Sequence, residues 1–185
     1  MPKLSATAAT AAAVLAAAIS SGLTYSLNVP LTPLKPIALT AAVVHFSPHG
    51  GCTDALVDQI DQATQSIYVQ SYSFTSKPIL AALAHAKQRG VAVAVLMDKS
   101  VPGSAPQTLQ FLHDAGITYL VDTKHAIAHN KIMIVDERYV ATGSFNFTEA
   151  AESHNAENSI IIDSPALAKV YLANWHAHQQ HCVRP

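Results

Sequence analysis

Residues 129–148 read His-Asn-Lys-Ile-Met-Ile-Val-Asp-Glu-Arg-Tyr-Val-Ala-Thr-Gly-Ser-Phe-Asn-Phe-Thr, which places His129, Lys131, Asp136, Ser144 and Asn146 in one stretch otherwise dominated by strand-forming residues. These are side-chain types that phosphate chemistry uses. An imidazole can attack phosphorus or move a proton, an ammonium can balance the charge of non-bridging oxygens, and hydroxyl and amide groups can hold those oxygens in place. If residues 129–135 are extended, successive side chains alternate between faces. His129 and Lys131 then share one face while Ile132 and Ile134 point into a core.

Such a stretch needs a scaffold, and the flanking sequence supplies one. Residues 43–46 read as a strand, followed by the turn Ser47-Pro48-His49-Gly50-Gly51 and a helix from Thr53, as N-cap, to Thr64. The alternating run 66–74 is a second strand. Ser76 can cap a helix with Pro78 in its first turn, and Gly90 ends that helix after Arg89. A buried-looking strand over 91–97, a helix over 106–115 and a short strand over 116–121 follow. Two strands, 128–135 and 139–142, are joined by the turn Asp136-Glu137-Arg138; a further strand covers 158–162, and Ser164 caps a last helix reaching about His178. This order predicts an α/β fold with a mixed, mostly parallel β-sheet flanked by helices.

The pattern H-x-K-x4-D, carried by His129, Lys131 and Asp136, followed by G-S-x-N at 143–146, is the signature of the phospholipase D superfamily. Its wording most resembles the small, single-motif bacterial endonucleases of that superfamily. The resemblance runs from about Val43 to Cys182, since the preceding βα pattern and the later Ala156-Glu157-Asn158 also fit, and it implies an α-β-α sandwich.

The resemblance further implies a covalent phosphohistidine formed by His129 and later hydrolysed by water. Lys131 and Asn146 would hold the phosphate oxygens, with Ser144 beside them, and Gly143 would permit the tight turn that brings Ser144 and Asn146 to the pocket. Glu157 stands where the family keeps a carboxylate behind the histidine, fixing its tautomer. Asp136 is expected to join the catalytic group as a structural or electrostatic partner, although a turn-forming aspartate is its simpler role. The family mechanism needs two histidines and this sequence has one motif, so a homodimer with merged sites is implied. Phe145 and Phe147 are candidates for that interface or for the core. No 2′-hydroxyl and no metal or other cofactor is called for, so DNA and RNA are both potential substrates.

Bulk properties set limits on this reading. With 11 Lys and Arg against 12 Asp and Glu, the chain has a formal net charge of −1 and no basic run. That argues against long-range capture of nucleic acid, though a local basic cleft remains compatible. Residues 1–22 resemble a secretory signal peptide, with Lys3, an Ala-rich apolar middle and small residues after it. Residues 23–40, with Pro30, Pro33 and Pro36, read as a linker or N-terminal arm, and 41–185 as the catalytic domain. The expected location is periplasmic or secreted, without stable membrane association after cleavage. In an exported protein, Cys52 and Cys182 invite one disulfide; two separate buried thiols are the alternative.

The tail His176-Ala-His178-Gln-Gln-His181-Cys182 invites a metal reading, but its spacing matches no established site, and an exposed polar helix end accounts for it. No metal ligand is therefore assigned. His125 lies near His129 in sequence and is left without a role. Two further functions stay open: a phospholipase D-type hydrolase or phosphatidyltransferase acting on a phospholipid, and a catalytically silent interaction module on the same scaffold.

Overall fold

The computed structural model describes residues 37–185; the expected leader over 1–22 and most of the arm over 23–40 lie outside the described residues. Eight strands, β1 (Ala41–Phe46), β2 (Ser66–Ser71), β3 (Ala92–Asp98), β4 (Thr118–Asp122), β5 (Lys131–Val135), β6 (Tyr139–Gly143), β7 (Asn158–Asp163) and β8 (Cys182–Val183), form one sheet in the order β1-β7-β6-β5-β2-β3-β4-β8. The helices are α1 (Cys52–Asp61), α2 (Lys77–Gln88), α3 (Val101–Ser104), α4 (Pro106–Asp114), α5 (Glu149–Ser153) and α6 (Pro165–Gln179).

The sheet is mixed and helix-flanked, as the sequence predicts, but its parallel part is confined to β2, β3 and β4. The other five of its seven pairings are antiparallel, which corrects the expected parallel majority. The physical reason lies in the connections. Among strands adjacent in the sheet, only β2 to β3 and β3 to β4 are joined by helical crossovers, whereas β5 and β6 are joined by a three-residue turn that can make only an antiparallel pair.

Helices cover both faces. Leu56 and Ile60 of α1, Ile79 and Leu83 of α2 and Leu112 of α4 pack on the side of Ile67, Val69, Val95 and Met133. On the other face Ala168 and Trp175 of α6 cover Leu96, Ile132, Ile134 and Val140. The Trp175 indole N–H donates to Val69 O at 2.9 Å, so its one polar atom is satisfied inside this second core. All five residues of β5 are buried. The expected one-sided burial of this strand is therefore corrected: Ile132 and Ile134 face one core, and Met133 and Val135 face the other.

The N-terminus of α1 is built differently from the predicted Thr53 cap. Gly51, at φ 76°, precedes the helix, and Glu152 of α5 supplies the acceptors, receiving Gly51 N–H at 3.1 Å and Thr53 N–H at 2.7 Å. A carboxylate from about a hundred residues away thus satisfies donors that a local side chain commonly takes. At α6 the prediction holds, since Ser164 Oγ accepts the Leu167 N–H at 3.2 Å. The short elements α3, α5 and β8 have no periodicity long enough to be read from sequence.

Candidate active site

Strand direction brings the chemistry together. The C-terminal ends of β2, β3, β4 and β6 and the N-terminal ends of β5 and β7 all lie at the same end of the sheet, as the pairings Ser71 with Lys131, Asp98 with Asp122 and Gly143 with Ser159 require. Asn158 begins β7 there, with Glu157 just before it. His129 is exposed, two residues ahead of β5.

Lys131 is only 6% exposed. Its ammonium donates to His129 O at 2.8 Å and stands 5.0 Å from the centre of the Tyr72 ring, a cation–π distance. Burial pushes its pKa below the ordinary lysine value, while the negative charge of Glu157 acts in the opposite sense. Among the described residues, no carboxylate forms an ion pair with it. The Tyr72 ring also packs 4.6 Å from the His129 imidazole, so one aromatic side chain touches both groups. Sequence reasoning missed Tyr72, because its place beside Lys131 is set by the pairing of β2 with β5 and not by neighbouring residues.

Gly143 and Ser144 close the far side. At φ 148° Gly143 occupies a conformation that L side chains rarely adopt, and a Cβ there would lie 2.3 Å from Asn158 O. Only glycine lets β6 turn this closely past β7. Ser144 Oγ accepts the Asn158 N–H at 3.1 Å, so its hydroxyl helps to hold the turn. Asn146 follows, with a buried side-chain Oδ1 that has no hydrogen-bond partner. Glu157 accepts from Asn155 Nδ2 at 3.1 Å rather than from the His129 ring. Phe145 and Phe147 belong to the core, 2% and 3% exposed, and Phe147 meets Phe74 edge-on at 5.6 Å.

The structure does not bring Asp136 to this group. It sits beyond the opposite end of β5, five residues from Lys131 and so about 17 Å along the strand. There its two oxygens accept the N–H groups of Thr64, Gln65 and Ser66 and the Thr64 hydroxyl at 2.8–3.0 Å. Burial opposes the charge, but these bonds outweigh it and hold the carboxyl below its ordinary range. Its role is to fix the turn between α1 and β2.

The segment between β4 and β5 must cross β3 and β2, about 14 Å at ordinary strand spacing, before it delivers His129. Two aspartates at strand ends pin it. Asp122 Oδ1 accepts the N–H groups of Lys124 at 3.0 Å and His125 at 3.1 Å, and Asp98 Oδ2 accepts the Ala128 N–H at 2.7 Å. Burial disfavours charge on Asp98, yet the hydrogen bonds from Ser100 and Ala128 keep its carboxyl below the usual range. The repeat of a strand closing on Asp, with a lysine one or two residues on, was the sequence signal for this anchoring.

Two further expectations are corrected. Cys52 and Cys182 are free, Cys52 in the core beneath α1 and Cys182 against the core beneath α6, so the sheet stands between them. Burial pushes each thiol up to about 11, which leaves both protonated and without nucleophilic character at neutral pH. Of the tail histidines, His176 alone faces solvent at the helix end. His178 and His181 turn inward towards Asp122, where His125 joins them.

Fold and site together are those of a phospholipase D-like domain. The family model described as "Cardiolipin synthase, PLD-like domain" matches residues 56–178, and the chain belongs to the phospholipase D superfamily. It is 44% identical over 134 residues to a "Phospholipase D" of Rickettsia typhi, covering 72% of this chain and 66% of that protein. It is 30% identical over 129 residues to the human "Mitochondrial cardiolipin hydrolase", covering 69% of this chain and 51% of that protein. The matched stretch thus spans just under two thirds of the Rickettsia protein and about half of the human one. Among solved structures, the phospholipase D family member Nuc from Salmonella typhimurium superposes with a TM-score of 0.74 at 36% identity, over 77% of this chain and 95% of that one. NucT from Helicobacter pylori shares the fold, with a TM-score of 0.70 at 20% identity over 77% and 98% of the two chains.

Proposed function

We propose that this chain is an exported endonuclease that hydrolyses phosphodiester bonds of DNA, and of RNA, without a catalytic metal. The observation that carries the reading is Lys131: a buried ammonium held against an aromatic ring and a carbonyl, beside an exposed imidazole, with no carboxylate bonded to it. A desolvated, unpaired cation is costly for the free protein and complementary to an arriving phosphate. The orphaned amide of Asn146 is a second group suited to such an oxygen, since an inverted amide would present N–H donors.

In the proposed reaction a ring nitrogen of His129 attacks phosphorus, the bond to the departing oxygen breaks, and His129 of a second copy of the chain gives that oxygen a proton. Water then attacks the phosphohistidine and yields its proton to the second imidazole. The nitrogen–phosphorus bond breaks, and both histidines are restored. Lys131 and Asn146 balance and hold the non-bridging oxygens, and Glu157 supplies negative charge beside Lys131. A homodimer follows, because one chain offers one such histidine. Export rests on the leader-like pattern of residues 1–22 and predicts recovery from the periplasm or medium on cell fractionation.

The likeness to Nuc over nearly all of that chain favours nucleic acid. A phospholipid substrate is the second reading, favoured by the names of the Rickettsia and human relatives. Purified protein incubated with plasmid DNA, RNA and phosphatidylcholine or cardiolipin vesicles, in excess chelator, separates the two. Nicking of plasmid that disappears in His129→Ala supports the nuclease; headgroup release with intact nucleic acid overturns it.

A further inference from the structure

At the same end of the sheet, on β4 and separated from β5 by β3 and β2, one carboxylate oxygen gathers three imidazoles. Asp122 Oδ2 lies 2.8 Å from His125 Nδ1, 3.1 Å from His178 Nδ1 and 3.4 Å from His181 Nε2. The four potential ligand atoms lie within 4.8 Å of one another, and the ring centroids stand 4.8–5.3 Å apart. The Asp122 side chain is 2% exposed, His178 19%, His181 22% and His125 43%.

Hydrogen bonding alone accounts poorly for this geometry. A carboxylate oxygen has lone pairs for about two donors, yet three ring nitrogens crowd this one, while its twin Oδ1 is already committed to two backbone N–H groups. Protonating all three rings would leave a net charge of about +2 crowded around one buried carboxylate. A divalent ion uses the same four groups without any proton, as three imidazole lone pairs and one carboxylate oxygen. Bonds of about 2.0–2.1 Å in a tetrahedron put ligand atoms about 3.3 Å apart, close to the oxygen-to-nitrogen distances found here. The backbone bonds to Oδ1 would then orient the ligating carboxylate.

We propose that Asp122, His125, His178 and His181 bind one divalent transition-metal ion, zinc by preference, in a structural site separate from the catalytic group. Three imidazole ligands to one carboxylate oxygen select such ions over magnesium or calcium. All four tetrahedral positions are filled by protein, the mark of a structural rather than a catalytic centre. The ion joins the last turn of α6 and the tail that forms β8 to the segment that carries His129 into place. Its work is to hold that segment, not to polarise the substrate.

Zinc titrated into the chelator-stripped full chain tests this, read by calorimetry and thermal unfolding. The expected result is one equivalent per chain and a rise in unfolding midpoint of about 5–10 °C when free zinc is about a hundredfold above Kd. The double variant His125→Ala/His181→Ala, altered at the two most exposed ligands, should bind zinc at least about a hundredfold more weakly and lose the rise. Absence of uptake by the wild-type chain overturns the proposal, as does undiminished stoichiometric binding by the double variant. X-ray absorption on the zinc-loaded wild type serves even if the variant misfolds. A nitrogen and oxygen shell at about 2.0–2.1 Å with imidazole scattering supports the assignment, and a sulfur shell from Cys182 overturns it.

Discussion

Two charged residues of the H-x-K-x4-D pattern act at opposite ends of one strand, and they answer to different measurements. Lys131 is stressed by burial, so Lys131→Met, which keeps the length and removes the charge, should abolish turnover by at least about a thousandfold. The same change should leave stability at pH 7 unaltered or raise it by about 1 kcal/mol. The sign follows from linkage. A folded pKa below the unfolded value of 10.5 means that the folded state binds fewer protons in between, so wild-type stability gains as pH rises through that window. The advantage of Lys131→Met is therefore full below the folded pKa and fades towards 10.5, which urea unfolding at several pH values will show. Asp136 is the converse. Its folded pKa is depressed, so its contribution is full above the unfolded value of 3.8 and is lost as pH falls through the folded one. Asp136→Asn, presenting an amide to N–H donors, should cost about 1–3 kcal/mol at neutral pH, and the difference from wild type should shrink under acid. Turnover per folded molecule should change far less than in Lys131→Met.

At the scale of elements, the most informative contact is the one between α5 and α1. Glu152 occupies the N-terminus of α1 as a charged acceptor, where it satisfies two orphan N–H groups and meets the positive end of the helix dipole. Glu152→Ala should lower stability by about 1–2 kcal/mol, measured by denaturant unfolding, with Thr53→Ala changing it less because the Thr53 side chain is not the cap. The same contact marks the limit of what the sequence discloses. The long periodic segments, β2, α2, β3, α4 and α6, could be read because local propensity and core burial agree in each. The motif likewise disclosed His129, Lys131, Gly143 and Asn146, since strand direction alone carries them to one end of the sheet. Glu152, Tyr72 and the inward-turning His178 and His181 could not be read. Their partners are distant in sequence, and a solvated glutamate or an exposed helix end is the commoner fate of such residues. Asp136 was misleading for a related reason: its fixed spacing from Lys131 reflects the length of β5, not proximity to His129.

For the whole molecule, the decisive quantity is the number of chains that one reaction needs. A single chain places one exposed imidazole beside Lys131, and a histidine that has become bonded to phosphorus cannot also protonate the departing oxygen. Either a second chain supplies that proton or another group of the same chain does. The two cases differ in how activity falls when active and inactive chains are mixed. Co-expressed wild type and His129→Ala in equal amounts, assembling at random, should retain about a quarter of the wild-type activity per chain if each site needs both histidines, because only dimers with two intact chains function. Independent sites would retain about half. The Lys131→Met chain serves as a second partner in the same assay, since its intact His129 tests whether one chain's lysine can serve a site whose nucleophile belongs to the other. Light scattering on the same samples fixes the assembly state. A monomer with full turnover, or a linear fall in activity with the fraction of His129→Ala, would place the proton donor within one chain and remove the need for the shared site.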